Sequence, residues 1–176
     1  IIILPDNDFK DFVKIFGSRE IKKVLGKNFT FNNSKEAYNL ALKLLSFKNE
    51  LDRLFYHFIQ SGGFPRAFFE LMEEDKIKQE TYEIYWNWLM NDIAKIERSE
   101  KIAVGVLKGI IKNYSTRFSF SSIAKEIEIG SHVTVREYLE ILESLMAIIN
   151  LHSFNLNKKA VFFRKMRKSY FIDPFI

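Results

Sequence analysis

Ser121-Ser122-Ile123-Ala124-Lys125-Glu126-Ile127, followed after Glu128-Ile129 by Gly130-Ser131-His132-Val133-Thr134-Val135-Arg136-Glu137-Tyr138-Leu139, is the stretch that decides the fold. Apolar residues recur three and four apart on both sides of a short break, the spacing of two amphipathic helices joined by a tight turn. Small Ala124 lets the helices approach, Gly130 suits the turn, and Ser131 is placed to cap the second helix. The first helix is expected over Ser119 to Glu128 and the second from His132 to about Ile149, with a core face of Val135, Leu139, Leu142 and Met146.

A further helix is expected ahead of this pair, from Ile102 to about Tyr114, where Gly105 and Gly109 permit close packing. Behind the pair, Leu151 to Leu156 alternates loosely, a basic loop follows, and Ser169-Tyr170-Phe171-Ile172 reads as a returning strand. Residues 101–176 are therefore expected to form a winged helix-turn-helix whose wing is a small β-hairpin.

Towards the N-terminus the reading is all helical. Phe9, Phe12, Val13 and Phe16 stop at Gly17, and Ile21, Val24 and Leu25 stop at Gly26. Asn33-Ser34 caps a stripe of Leu40, Leu44, Leu45, Leu51, Leu54, Phe55 and Phe58 that ends at Ser61-Gly62-Gly63. Pro65 suits a first helical turn, which Phe68, Phe69, Leu71 and Met72 continue. Tyr82, Tyr85, Trp86, Leu89, Met90, Ile93 and Ile96 mark a long, strongly amphipathic helix. The fold class is thus mainly α, with a boundary expected near residues 100 and 101.

Composition narrows the function. Eighteen phenylalanines and 47% hydrophobic residues in 176 supply a core. The absence of cysteine removes disulfides, thiolate metal sites and cysteine nucleophiles, and fits a reducing compartment, so the expected location is the cytoplasm. No apolar run approaches the roughly 20 residues of a membrane span, so no membrane partner is expected.

The net charge of +5 is unevenly spread. Residues 119–150 carry two basic and five acidic side chains, whereas 151–176 carry Lys158, Lys159, Arg164, Lys165, Arg167 and Lys168 against Asp173. Taken at about 100° per residue, the face of the second helix opposite its core holds Val133, Glu137, Glu140 and Ser144, and two carboxylates there meet phosphate unfavourably. The six basic residues of the tail are the better candidates for phosphate contact, or else a solvated loop; His132 and Arg136 are the candidate donors to base edges.

Catalytic machinery is not evident. His57, His132 and His152 lack the spacing of a metal site, and the seven glycines never produce the phosphate-cradling G-x-x-x-x-G-K-[ST] pattern. No catalytic residue and no metal are assigned.

Several motifs in order nevertheless resemble the archaeal and bacterial Walker-type ATPases of the AAA+ superfamily that carry a helical lid and then a winged helix. Leu4-Pro5 with Phe9 to Gly17 is similar to the exit from the last strand of their nucleotide core. Gly62-Gly63-Phe64-Pro65-Arg66-Ala67 is similar to their lid signature. Tyr85-Trp86-Asn87-Trp88-Leu89 with Asp92-Ile93, then Thr134-Val135 to Tyr138-Leu139-Glu140, then Tyr170-Phe171-Ile172-Asp173-Pro174-Phe175 follow in the same order.

The resemblance implies a lid subdomain over 1–100, with the end of the ATPase core at 1–5, and a winged-helix domain over 101–176. It implies that the phosphate-binding loop and the magnesium-binding acidic strand lie on an ATPase core preceding Ile1. ATP and magnesium then belong to the complete protein, none is bound by this chain alone, and the chain alone is not catalytic. Gly63 and Arg66 match the lid positions that touch nucleotide. A guanidinium beside a turn can fork onto phosphate oxygens, or Arg66 can instead pair with Glu70 one turn on. The alternative function is a stand-alone winged-helix transcriptional regulator that binds DNA, with the first 100 residues as a dimer or effector domain.

Overall fold

The computed structural model describes residues 8–26 and 33–176, and the side chains of all of these except 163–165. The strand exit expected at Ile1 to Pro5 lies outside the described residues. The chain is mainly helical with a small antiparallel sheet towards its C-terminus. It divides into two compact units, Ile1–Thr81 together with Asp173–Phe175, and Tyr82–Ile172 with Ile176.

The first unit is built on short helices with polar caps. Asp8 accepts the Asp11 amide at the start of α1 (Phe9–Phe16), which ends at Gly17. Ser18 caps α2 (Arg19–Leu25), and its own N–H and hydroxyl donate to the Glu50 carboxylate at 2.7 and 3.0 Å. Gly26 ends α2 with φ +64°, a conformation that favours glycine. Asn33 caps α3 (Ser34–Leu44), and a 3-10 turn over Leu45–Phe47 leads into α4 (Lys48–Ser61). The Gly62-Gly63 turn follows, then α5 (Pro65–Glu74) with proline in its first turn.

Phenylalanine dominates this unit's core. Phe12 meets Phe58 and Phe68 edge-on at 5.4 and 4.9 Å, and Phe16 lies 3.6 Å from Phe68. Such pairs add about 0.5–1.5 kcal/mol each beyond area burial. Val13, Ile21, Leu25 and Leu54 are buried in the same cluster, and Ala67 and Leu71 of α5 are buried as well. The stripe expected across α3 and α4 is only partly inside: Leu54 is buried, whereas Leu45 and Phe55 are exposed.

The second unit contains most of α6 (Gln79–Lys95), then α7 (Glu100–Lys112), α8 (Phe120–Glu126), α9 (His132–Ser144), β1 (Ile148–Asn155) and β2 (Ala160–Phe171). Its division from the first unit falls inside α6 rather than near residue 100, because Leu89, Met90 and Ile93 share a core with Ala103, Val106, Leu107 and Ile110. The strong amphipathicity expected of α6 is absent: Tyr82, Trp86 and Trp88 are exposed, and only the C-terminal half joins the core.

Close approach of α7 and α8 depends on the two expected glycines. A Cβ on Gly105 would lie 3.3 Å from Ile127, and one on Gly109 would lie 3.0 Å from Ile123. The turn between α8 and α9 differs from expectation. Glu128, not Gly130, takes the left-handed conformation, at φ 56°, and a Cβ on Gly130 would meet open space. Ser131 does cap α9, accepting the Thr134 amide at 3.3 Å.

Helix α9 ends at Ser144, ahead of the expected Ile149, since Met146 turns left-handed at φ 57° and Ala147 and Ile148 pass into the core and β1. The buried face of α9 is Val135, Tyr138, Leu139 and Leu142. Met146 is exposed, and Tyr138 takes the unexpected place, its hydroxyl accepting the Ser99 amide at 2.7 Å. Strands β1 and β2 pair antiparallel from Ile148↔Phe171 to His152↔Arg167 and again from Ser153↔Phe162 to Asn155↔Ala160, with a bulge on β2 between. Phe118 bridges Arg167 in both directions at 3.0 and 3.1 Å, adding one residue pair to the sheet.

Candidate functional site

Two places collect the candidate residues, one in each unit. In the first unit, Gly62 ends α4 with φ 56° and Gly63 carries the chain into α5. The Gly63 amide donates to Oδ2 of Asp173 at 2.7 Å, and Oδ1 of the same carboxylate accepts the Phe175 amide at 2.8 Å. The Phe64 and Phe175 rings lie 5.2 Å apart. Two motifs of the sequence resemblance, separated by 110 positions, therefore meet.

Arg66 stands in the first turn of α5 with an exposed side chain. Its Nε donates to Glu70 Oε1 at 3.1 Å and to Thr81 Oγ1 at 3.0 Å, while the Thr81 hydroxyl donates to Glu70 at 2.7 Å. The Lys78 amide donates to the second Glu70 oxygen at 3.0 Å. The Thr81 hydrogen bond, helped by Lys78 and Arg66 and opposed by burial, holds the Glu70 carboxyl below its ordinary value. The pairing of Arg66 with Glu70, one of its two sequence readings, is thus formed; it engages the guanidinium through Nε.

In the second unit, α9 and the hairpin enclose a groove of about 690 Å3, lined by Phe120, His132, Arg136, Glu140, Asn150 and Arg167 among others. Both base-edge candidates, His132 and Arg136, are exposed at its side on the first turns of α9. The two carboxylates expected to repel phosphate are each beside a guanidinium: Glu137 is 3.1 Å from Arg98, and Glu140 is 3.6 Å from Arg136. A buried polar node fastens α9 to both strands. Asn150 donates to Glu143 from its backbone at 3.1 Å and its amide at 2.9 Å, and accepts the Ser169 hydroxyl at 2.5 Å.

The basic segment is not one loop. Lys158 and Lys159 are exposed in the turn between the strands, where Asn155 Oδ1 accepts the amides of Asn157 and Lys158. From residue 160 onward the chain is already β2, because pairing with β1 and the bridge to Phe118 extend the strand well ahead of Ser169. Lys168 is half-buried opposite Leu151. Arg167 is buried, its guanidinium 3.6 Å above the Phe120 ring, so it faces the protein. Burial lowers the Arg167 pKa from its ordinary value, with Glu140 and Glu143 acting against that shift and Arg136 adding to it. The candidate side chains of Arg164 and Lys165 lie outside the described residues.

Sequence reasoning missed the Asp173 contact and the Asn150 node. An isolated acid before Pro174 in an otherwise basic tail was the one available signal for the first; a lone Asn inside a strand carried none for the second. Among the described residues, no group of His, Asp or Glu side chains could hold a metal ion, and no helix is long and apolar enough to cross a membrane. A family model described as a domain of unknown function (DUF8612) matches residues 52–176. No curated protein and no solved structure matches.

Proposed function

The chain belongs to the DUF8612 family, and we propose that it is the lid and winged-helix portion of an AAA+-type ATPase, coupling nucleotide state to a winged helix that contacts nucleic acid. The observation that carries this reading is the junction of the Gly62–Ala67 and Asp173–Phe175 motifs around the Gly63 amide. A turn that presents a backbone N–H, followed within one helical turn by an exposed guanidinium, can receive phosphate oxygens at two points. ATP and magnesium would be held by a core preceding this chain, and that core would supply the charge neutralisation that phosphoryl transfer needs. Arg66 would then act on the charge that develops at the transferred phosphoryl group.

Support for the winged helix is the order α7, α8, α9 and hairpin, with the Phe118 pair as a short third strand. In that reading α9 is the recognition helix, and the turn bearing Lys158 and Lys159 is the tip of the wing. Contacts through the tip are to phosphate, hence tolerant of sequence.

In the protein that joins this chain to its ATPase core, Arg66→Ala lowers kcat for ATP hydrolysis more than it lowers ATP affinity. An unchanged kcat removes Arg66 from the nucleotide. Magnesium-dependent hydrolysis by residues 1–176 alone overturns the reading, and sharp discrimination between DNA sequences favours the stand-alone regulator instead.

A further inference from the structure

We propose that Asp173 is a built-in competitor for phosphate at the Gly63 amide, so that residues 173–175 form a strap that must leave before nucleotide engages this turn. The inference rests on the nucleotide reading of Gly63 and Arg66 given above.

Each of the two groups assigned to phosphate is held by a carboxylate of its own unit. The Gly63 N–H donates to Asp173 Oδ2 at 2.7 Å, and Arg66 Nε donates to Glu70 Oε1 at 3.1 Å. A short, charge-assisted bond to a backbone amide is the interaction a phosphate oxygen would make there. The seat is shaped for this carboxylate. A Cβ on Gly62 would fall 1.7 Å from Asp173 Oδ1, and Gly62 is left-handed at φ 56°, so glycine is required beside the strap. The second Asp173 oxygen accepts the Phe175 amide at 2.8 Å, which folds the strap and brings the Phe175 ring to 5.2 Å from Phe64.

Competition follows from mass action. While the strap is seated, only the fraction of molecules with a released amide can bind phosphate there, and the apparent affinity falls by that fraction. By reciprocity, phosphate at Gly63 favours release of the strap. Asp173 follows the end of β2 by two residues, so the released segment is covalently continuous with the hairpin.

The test titrates inorganic phosphate into the 176-residue chain while following the Gly63 and Phe175 amides by NMR, in the parent and in Asp173→Ala. Expected is faster amide exchange at Gly63 in the variant, and half-saturation of the Gly63 shift at a phosphate concentration about tenfold lower, the scale of one charge-assisted hydrogen bond. Asp173→Asn keeps the shape and an acceptor but not the charge, and falls between the two; it carries the test should the alanine variant not fold. Equal phosphate response at Gly63 in parent and variants overturns the competitor and leaves the nucleotide reading standing. No response at Gly63 in any of them, with the amide released, removes the competitor, and the nucleotide reading then stands or falls on Arg66→Ala in the protein that joins this chain to its ATPase core.

Discussion

The guanidinium of Arg167 lies 3.6 Å above the ring of Phe120, and the residue is only 6% exposed. A desolvated cation over a ring face contributes about 2 kcal/mol. The same residue exchanges two backbone bonds with Phe118, which truncation of the side chain leaves in place. Arg167→Ala is therefore expected to destabilise the protein by about 2–3 kcal/mol, read as a lower urea midpoint. Lys158→Ala, in the exposed turn, is expected to shift the midpoint by less than about 0.5 kcal/mol.

The glycines of the second unit separate by what a methyl would meet. Gly109→Ala gains helix propensity of about 1 kcal/mol but brings a Cβ to 3.0 Å from Ile123, and overpacking of this kind costs about 1–3 kcal/mol. The net expectation is a loss of up to about 2 kcal/mol. Gly130→Ala meets open space at a residue that is not left-handed, so it is expected to be neutral or to stabilise by about 0.4–1 kcal/mol. Thermal melts of the two variants check the contrast, and a destabilised Gly130→Ala would restore the turn role that sequence assigns to it.

That glycine shows where sequence reading stopped. Period and caps are local, so the helix starts at Asn33, Pro65 and Ser131 were legible, as were the packing glycines Gly105 and Gly109. Which residue turns left-handed between α8 and α9 depends on how the chain must travel, and it fell to Glu128. Alternation was too weak to show that residues 160–168 belong to a strand, because their pairing is set by β1 and Phe118 and not by their own sequence. For that reason Arg167 read as a loop cation when it is a buried one. At the other site, Gly63 and Arg66 were named from motif alone, and the carboxylates beside them were only half visible. Glu70 lies one turn from Arg66, within reach of local spacing, whereas Asp173 is 110 positions from Gly63 and only the fold brings the two together.

Glu70 ties acid stability to the Arg66 site. Its folded carboxyl titrates below the ordinary glutamate value, first because Thr81 donates to it. The unfolded chain then binds the proton more readily, so this contribution is complete above the ordinary glutamate range and is lost as pH falls from that range through the lower folded value. Glu70→Gln is expected to lower the urea midpoint at neutral pH and to flatten its fall under acid. If the parent and Glu70→Gln lose stability in parallel below the glutamate range, the carboxylate has no such role.

Salt dependence distinguishes the proposed wing contact from burial effects. With about three or four phosphates neutralised on duplex DNA, the slope of log affinity against log salt is expected near −3 to −4. Lys158→Ala with Lys159→Ala is expected to reduce its magnitude by about two, and Arg136→Ala by about one, since each of these side chains is exposed. Arg167→Ala makes the decisive comparison. Its guanidinium covers Phe120 and faces the protein, so under conditions where the variant remains folded the slope is expected to stay unchanged. A slope that falls with Arg167→Ala, and not with the lysine pair, would place the phosphate inside the groove between α9 and the hairpin and not at the wing tip. The contact would then run through His132, Arg136 and Arg167 together, because these, with His152, are the basic side chains among the described residues that line that groove, beside the carboxylates of Glu140 and Glu143.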